Sequence, residues 1–591
     1  MIIQSLISYY DRLAEAGDSC VAPEGYSWQK IGFAVVLELD GRLHAIEDRR
    51  QEVAQRKPKA KPLLKAAPIL VPGQAKPSGS GINPNFLWDQ PGYMLGWKPD
   101  DQKPARTAEA FEAFRERHLA AEQEISAPEY SAVCRWLAHW KPEQLSDEAK
   151  KVVSSFGVFQ IRGQQRYVHE LPEVQAYWMK QVHGCDERPL VHSLVSGELV
   201  KAARLHEPKI KGVRGAKTSD RQPSGAPLVG FNCRAFESYG FEQGDNAPMS
   251  DAEAFKYCTA LNILTDEQRV YIDGTTLVHW TGAPSVVKSF LGFVFGQQPE
   301  DNALREKVRT ALTAITQGRM PGQEFGDVAT PFYVLGLTRD AARISVRYWY
   351  QSTLEDFYIR LKDHFNALAI QREWPDKQPE FPSIWQLLKE TVRQADKKTG
   401  RKADDIPRGL PEAFLQAILE GSNYPMELYT AVLRRIRIEG QVSYLKAAII
   451  KAVLTRNYRM NDEQEQGPSY RLGRLLAVLE RLQYAAVGSA PINGFFGAAS
   501  ITPGLVFPRL IRGAQPHYAK LKARGKVGLA VYYEKIVQEI VEPLTAYPQR
   551  LNLTEQGLFG LGYYHQRQAL FTKAPAEVAK ANNEMENNET N

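Results

Sequence analysis

Cysteine is scarce in this chain, five among 591 residues, at Cys20, Cys134, Cys185, Cys233 and Cys258. No two form a C-x-x-C pair, so neither a disulfide framework nor a thiol-ligated metal is expected, and the thiols read as packing residues. Long apolar runs are missing too. No segment approaches the roughly 18 uninterrupted apolar residues of a membrane span, and the start, MIIQSLISYYDRLAEAG, lacks the basic lead and apolar core of a signal peptide. A cytoplasmic protein without a membrane partner is the expectation. Catalytic signatures are equally absent: the eleven histidines contain no H-E-x-x-H or H-x-H, and neither G-x-x-x-x-G-K-[ST] nor G-x-S-x-G occurs. The chain is therefore expected not to be an enzyme and to need no cofactor or metal. The alternative function, a metal-dependent nuclease acting on DNA or RNA, would need clustered carboxylates. Its nearest candidates, Asp245, Asp251 and Glu253, include two that read better as a helix start capped by Ser250.

What is present is enough apolar surface to fold. At 591 residues, 43% hydrophobic and 10% aromatic, the chain should hold two or three domains with cores of their own. Its net charge of +6 is unevenly placed. Residues 426–550 carry 18 Lys or Arg against 9 Asp or Glu, a surplus larger than that of the whole chain. Residues 201–221 carry seven Lys or Arg against two acids, with glycines at 212, 215 and 225 that let backbone approach a ligand. Such surfaces suit a polyanion, of which nucleic acid is the commonest; a solvated loop is the plain alternative.

The chain reads as α+β, a mixed α/β N-terminal region followed by an all-α C-terminal bundle. Alternation over Ile31–Leu39, then Asp40-Gly41 and a second short run, predicts a β-hairpin. Residues 55–85, rich in interleaved Lys and Pro, predict an extended loop. Helical patterns cover Pro104–Ala121 and Ala149–Val153, and strands are expected at Val158–Ile161, Leu277–Trp280 and Ile344–Tyr350. After Asp356 apolar residues recur at helical spacing, as at Leu445, Ile449 and Val453. The expected division is an α+β domain over 1–394, a linker at 395–411, a helical bundle at 412–571 and a disordered tail at 572–591.

Long strings in this chain resemble one known family. The block RLHEPKIKGVRGAKTSDRQPSGAPLVGFNCRAFESYGFEQGDNAPMSDAEAFKYCTALN is similar to the signature of the large subunit of the type I-C (Dvulg subtype) CRISPR Cascade surveillance complex. The likeness continues in SGSGINPNFLWDQPGYMLG, FYVLGLTRDAARISVRYW, ELYTAVLRRIRIEGQVSYLKAAIIKAVLTRN, FGAASITPGLVFPRLIRGAQPHYAKL and EQGLFGLGYYHQRQALF, in the family's order. The link VGSAPINGFFGAAS is shorter than the family's usual connection.

The resemblance implies antiviral defence: recognition of a protospacer-adjacent motif in duplex DNA, strand opening into an R-loop, and support for recruiting a separate helicase-nuclease. It implies as partners the CRISPR RNA, the Cascade backbone subunits, the subunit binding the RNA 5' end and small helical subunits. Target duplex, displaced strand and phage anti-CRISPR proteins complete that set. For motif reading the expectation falls on Lys76, Ser78, Ser80, Asn83 and Asn85, small hydrogen-bonding groups among glycines; an Asn bonding its own turn is the alternative. Asn232, Ser238, Tyr239, Gln243 and Asn246 are expected to support the groove or wedge the strands apart. Lys201, Arg204, Lys209, Lys211, Arg214 and Lys217 are expected on phosphates. Arg434, Arg435, Arg437, Lys446, Lys451, Arg509, Arg512, Lys520, Lys522 and Lys526 are expected to track the displaced strand. In this family the small subunit arises from an internal start; Met460 is the candidate here and Met426 the second choice. Tyr532-Tyr533 and Tyr563-Tyr564 read as core or as base-stacking residues.

Overall fold

The run Ile31–Leu37 is apolar on both faces, which only a strand covered on both sides can satisfy. In the computed structural model it forms the buried half of strand β1, Tyr26–Leu37. The structure describes residues 1–53, 63–74, 81–153, 155–182, 184, 188–215, 225–231, 233–267, 269–283, 292, 294, 302–319, 327–340, 343–393, 405–460 and 467–571, and the backbone of 572–589. Phe33, Val35 and Leu37 pack with Phe86, Phe114, Tyr130 and Trp136 on one face of the sheet. Ile31, Ala34 and Val36 pack with Val71, Trp88 and Val158 on the other. A Cβ at Gly157 would strike the Phe33 ring, so the neighbouring strand approaches only because it has none.

β1 pairs antiparallel with β2 (Leu43–Asp48), giving the expected hairpin, whose turn is held where Arg42 donates to the Asp40 carboxylate at 2.7 Å. β3 (Arg50–Val53), β4 (Leu63–Pro72), β5 (Trp88–Asp89) and β6 (Phe156–Ile161) complete a sheet of order β3-β4-β1-β6-β5, with β1 and β6 parallel. β4 lies inside the stretch expected to be loop. Its prolines misled the reading: Pro68 pairs with Lys30 on β1, whereas β3 borders only Leu63–Ala66, so the missing N–H faces no described strand.

The chain forms two compact units, Met1–Glu267 with Thr338–Ser345, and Gln268–Leu337 with Val346–Asn591. In the first, helices Pro104–Ala121 and Pro128–His139 line one side of the sheet core, and a small hairpin, β7 (Leu190–His192) and β8 (Leu199–Lys201), precedes helix Asp251–Glu267. β9 (Val270–Ile272), β10 (Thr275–Thr281), β11 (Pro331–Asp340) and β12 (Arg343–Thr353) form a sheet of order β12-β11-β10-β9 in which β10 is antiparallel to β9 and β11; apart from residues 338–345 it lies in the second unit with the helices that follow. Helix makes up about 52% and strand about 16%, so the α+β class holds. Residues 405–411 of the expected linker lie within this second unit, and 395–404 are outside the described residues. Helix Leu553–Glu589 continues through the segment expected as a tail.

The helical core is organised by close backbone contact. A Cβ on Gly473 would collide with the carbonyl of Phe559, and one on Gly562 with that of Tyr470. Helices Pro468–Val487 and Leu553–Glu589 therefore cross at glycines. Tyr563 and Tyr564 are buried here; the first donates to Glu480 and the second to the Gln371 carbonyl at 2.6 Å. They are core residues, as is Tyr533.

Three buried histidines make stability pH-dependent. His118 accepts the Leu87 N–H at 2.8 Å while its other ring nitrogen faces the Phe114 carbonyl, and burial pushes its pKa down to about 3. Burial likewise lowers His169 to about 4 and His364 to about 3. All three are neutral when folded, whereas in the unfolded chain they protonate below about 6.5. Their contribution is present above that pH and declines as pH falls toward 4, by about 1.4 kcal/mol per pH unit for each histidine. Urea unfolding at pH 7 and 5.5 should give a clearly lower midpoint at 5.5, and His118→Asn should flatten the dependence; equal midpoints in the native chain would contradict this account.

Candidate nucleic-acid interface

The basic segment after β8 is held against helix Asp251–Glu267 by one side chain. Asn262 donates to the Lys209 carbonyl at 3.1 Å and accepts the Lys211 N–H at 2.8 Å. Ile210 exchanges two backbone hydrogen bonds of 2.9 Å with Ala226, opposite Gly225, whose φ of +70° and contact with the Ile210 carbonyl exclude a side chain. Further on, Gly215 bridges to Arg339 at the end of β11. Lys201, Lys209 and Arg214 are half-buried along this path, Arg204 and Lys211 are exposed, and Lys217 lies outside the described residues. Although its surface is open to water, the Lys211 amine is held below the usual lysine range, chiefly by surrounding protein and secondarily by the charge of Lys30. A phosphate between two such cations would relieve the repulsion.

The segment expected to act as a wedge packs directly on this basic strip. Gly244 lies so close to the Ala203 carbonyl that any side chain would collide with it, and Arg204 donates to Gln243 at 3.0 Å. Two of the sequence-selected sets are thus one surface. Within the loop, Asn246 does not face outward as expected: its amide donates to the carbonyls of Phe236 (2.7 Å) and Gln243 (3.1 Å) and fastens the loop's base. Ser238, though exposed, donates to the Ala235 carbonyl of its own turn at 2.9 Å. Asn232 is outside the described residues. Arg343 from the start of β12 lies 4.6 Å over the Phe236 ring.

The group that the loop presents is Tyr239, 98% exposed. Ser238 (φ −61°, ψ 143°) and Tyr239 (φ 64°, ψ 16°) make a type II turn with tyrosine where glycine is usual. Holding a bulky residue in the left-handed region costs about 1–3 kcal/mol. Phe241, half exposed, stands two residues on.

The motif-reading candidates divide. Lys76, Ser78 and Ser80 are outside the described residues. Asn83 is exposed, with its N–H 3.4 Å from the Tyr93 hydroxyl. Asn85 is buried at 7% exposure and its N–H donates to Asp89 at 2.7 Å, so it anchors the loop rather than meeting a base. Arg117, donating to the Pro84 carbonyl, completes the anchor. Beside the loop, Gly81, Ile82, Lys103, Arg106 and Glu109 line an open groove of about 560 Å³. Lys103 and Arg106 were not singled out from sequence. A signal existed: they sit at a helix start that has no acid in its first turn, where the dipole disfavours cations unless an anion joins them.

Of the C-terminal cations, Arg434, Arg509, Arg512, Lys520 and Lys526 are exposed and make no ion pair among the described residues. Arg509, Arg512 and Lys520 share one face of helix Pro503–Ala523. The rest are engaged: Arg435 with Glu439, Arg437 with the Leu433 carbonyl at 3.3 Å, Lys451 with the Ala369 carbonyl, Lys522 with Glu534 at 2.9 Å. Lys446 is a correction, being buried between Glu439 and Glu390. The nuclease candidates are engaged too. Asp251 pairs with Arg188 at 2.6 Å, Glu253 accepts from Ser193 and from the Ser250 N–H, and Asp245 accepts the Glu242 N–H at 3.2 Å.

The family model described as CRISPR-associated protein (Cas_Csd1) matches residues 6–571. No curated protein matches the chain. Lys446→Ala, which takes the buried cation from Glu390 and leaves Glu439 with Arg435, should destabilise the protein by about 1–3 kcal/mol, below the full buried-pair value because Glu439 keeps that partner and is partly exposed. The same change should leave DNA affinity unaltered; reduced affinity at unchanged stability would return Lys446 to the binding surface.

Proposed function

The chain belongs to the Cas_Csd1 family of CRISPR-associated proteins, the large subunits of type I-C Cascade, and on that premise we propose that it inspects the short motif beside a target in duplex DNA and begins strand opening. Association with the other Cascade subunits and the CRISPR RNA follows from the family. Guide pairing is nearly isoenergetic with the duplex that it replaces, so small protein contributions at the motif and on the displaced strand decide the outcome.

The observation that carries this reading is the exposed, conformationally strained Tyr239 on a loop packed against the basic strip of Arg204 and Lys211. Phosphate contacts along the strip fix the duplex in register, and an aromatic ring at the tip is suited to enter between the first base pairs. Asn83, with Lys103 and Arg106 beside it, is the motif-reading surface in this account. Arg509, Arg512 and Lys520 receive the displaced strand, and cutting is left to a recruited helicase-nuclease.

Helices Pro468–Val487 through Leu553–Glu589 also supply the small helical subunit in this reading. Met460, half-buried at the end of helix Tyr444–Tyr458, is the proposed internal start, giving residues 460–591. An immunoblot against the C-terminus should reveal a second product of that length, lost on Met460→Ala; full-length protein alone would refute the internal start.

The motif assignment is tested by binding of the reconstituted, guide-loaded complex to a duplex library randomised beside a matched target. Asn83→Ala should relax motif preference by about tenfold, within the ~1–3 kcal/mol of a specific base contact, while Lys211→Ala weakens all sequences alike. Unchanged preference in Asn83→Ala would remove this loop from motif reading.

A further inference from the structure

Helices Pro468–Val487 and Leu553–Glu589 carry a feature that no expectation from the sequence included. Arg481 lies over two half-exposed rings at once, 5.6 Å from the centroid of Tyr484 and 5.3 Å from that of Phe571. Arg567 lies 6.0 Å from Phe571 and 5.7 Å from Tyr563. The result is an alternating ladder of rings and guanidiniums, Tyr484–Arg481–Phe571–Arg567–Tyr563. It borders a cavity of about 340 Å³, floored by Ala477 and Leu570 and edged by Gln441 and Glu480. Tyr484 is 52% and Phe571 43% exposed, so the Tyr484 end and the middle ring of the ladder face water while the Tyr563 end is buried.

Charge in the cavity favours an anion with a flat apolar part. Among the described residues Glu480 is the only acid lining it; it accepts from the Tyr563 hydroxyl and sits 3.7 Å from Arg567. One guanidinium is offset and Arg481 supplies a surplus positive charge. Ring faces and guanidinium planes stack on nucleobases of any sequence, and the adjacent cation meets the phosphate. We propose that this cavity captures one unpaired base of single-stranded DNA, with Tyr484 and Phe571 stacking on it as the Arg481 guanidinium moves from over the rings to its phosphate. The inference rests on the DNA-binding function proposed above and adds a stacking site to what was a purely electrostatic track.

The test is titration of the full chain with a single-stranded oligonucleotide carrying 2-aminopurine, beside titration of its guide-loaded complex with motif-bearing duplex. Tyr484→Ala and Phe571→Ala should each weaken the oligonucleotide about tenfold and abolish fluorescence quenching, with the salt slope unchanged because no phosphate contact is lost. Phe571→Leu, which keeps apolar bulk, should lose quenching as well, and Tyr484→Phe should retain it. Duplex motif preference should persist in every variant. Wild-type affinity and quenching in the ring variants would overturn the site, including the case in which the rings seat a protein partner and only assembly suffers. Motif preference on duplex without single-strand binding would defeat this inference alone, whereas absence of both would defeat the DNA-binding reading too.

Discussion

The surface proposed to meet DNA in the first unit depends on one close contact, Gly244 against the carbonyl of Ala203. Because no side chain intervenes, the loop of residues 233–246 lies directly on the strip that carries Arg204, and Gln243 reaches its guanidinium. Asn246 closes the base of the loop with two hydrogen bonds, which lets the tip hold a tyrosine in a conformation that glycine would adopt more cheaply. A flexible loop would relax that strain. Here the fastened base sets the backbone at the tip and the ring projects into water, so binding need not reorganise the turn.

Much of the architecture was legible because burial leaves a periodic trace. Helix Pro104–Ala121 begins at a proline and matches its expected bounds. The hairpin is written in alternation about Asp40-Gly41. β4 was hidden by the very prolines that mark a loop, since sequence does not tell which side of a strand lacks a neighbour. The division into units was also illegible: β9–β12 follow the first unit's fold in character yet pack their apolar residues into the helical core, a pairing set by contacts distant in sequence.

Legibility of the candidate interface was limited by a different ambiguity. Residue type shows what a side chain can bind and hides what already binds it. Lys446 has the composition of a track residue and is spent on two carboxylates; Asn246 has groove chemistry and instead holds its loop together, and Asn85 is buried. Lys103, Arg106 and the Arg481 ladder were missed for the converse reason, since each becomes a site only when segments far apart in sequence meet. Tyr239 could be selected from sequence because turn residues crowd around it, leaving a large ring nowhere to pack.

The central claim is that Tyr239 opens the duplex once the basic strip has bound it. It is tested most directly by 2-aminopurine fluorescence at the first target base pair in the guide-loaded complex, comparing the native chain with Tyr239→Gly, which keeps the turn and removes the ring. The account predicts that the variant retains duplex affinity within about twofold and opens that base pair at least about tenfold more slowly, as expected when an inserted ring worth a few kcal/mol is lost. Opening at the native rate would contradict it.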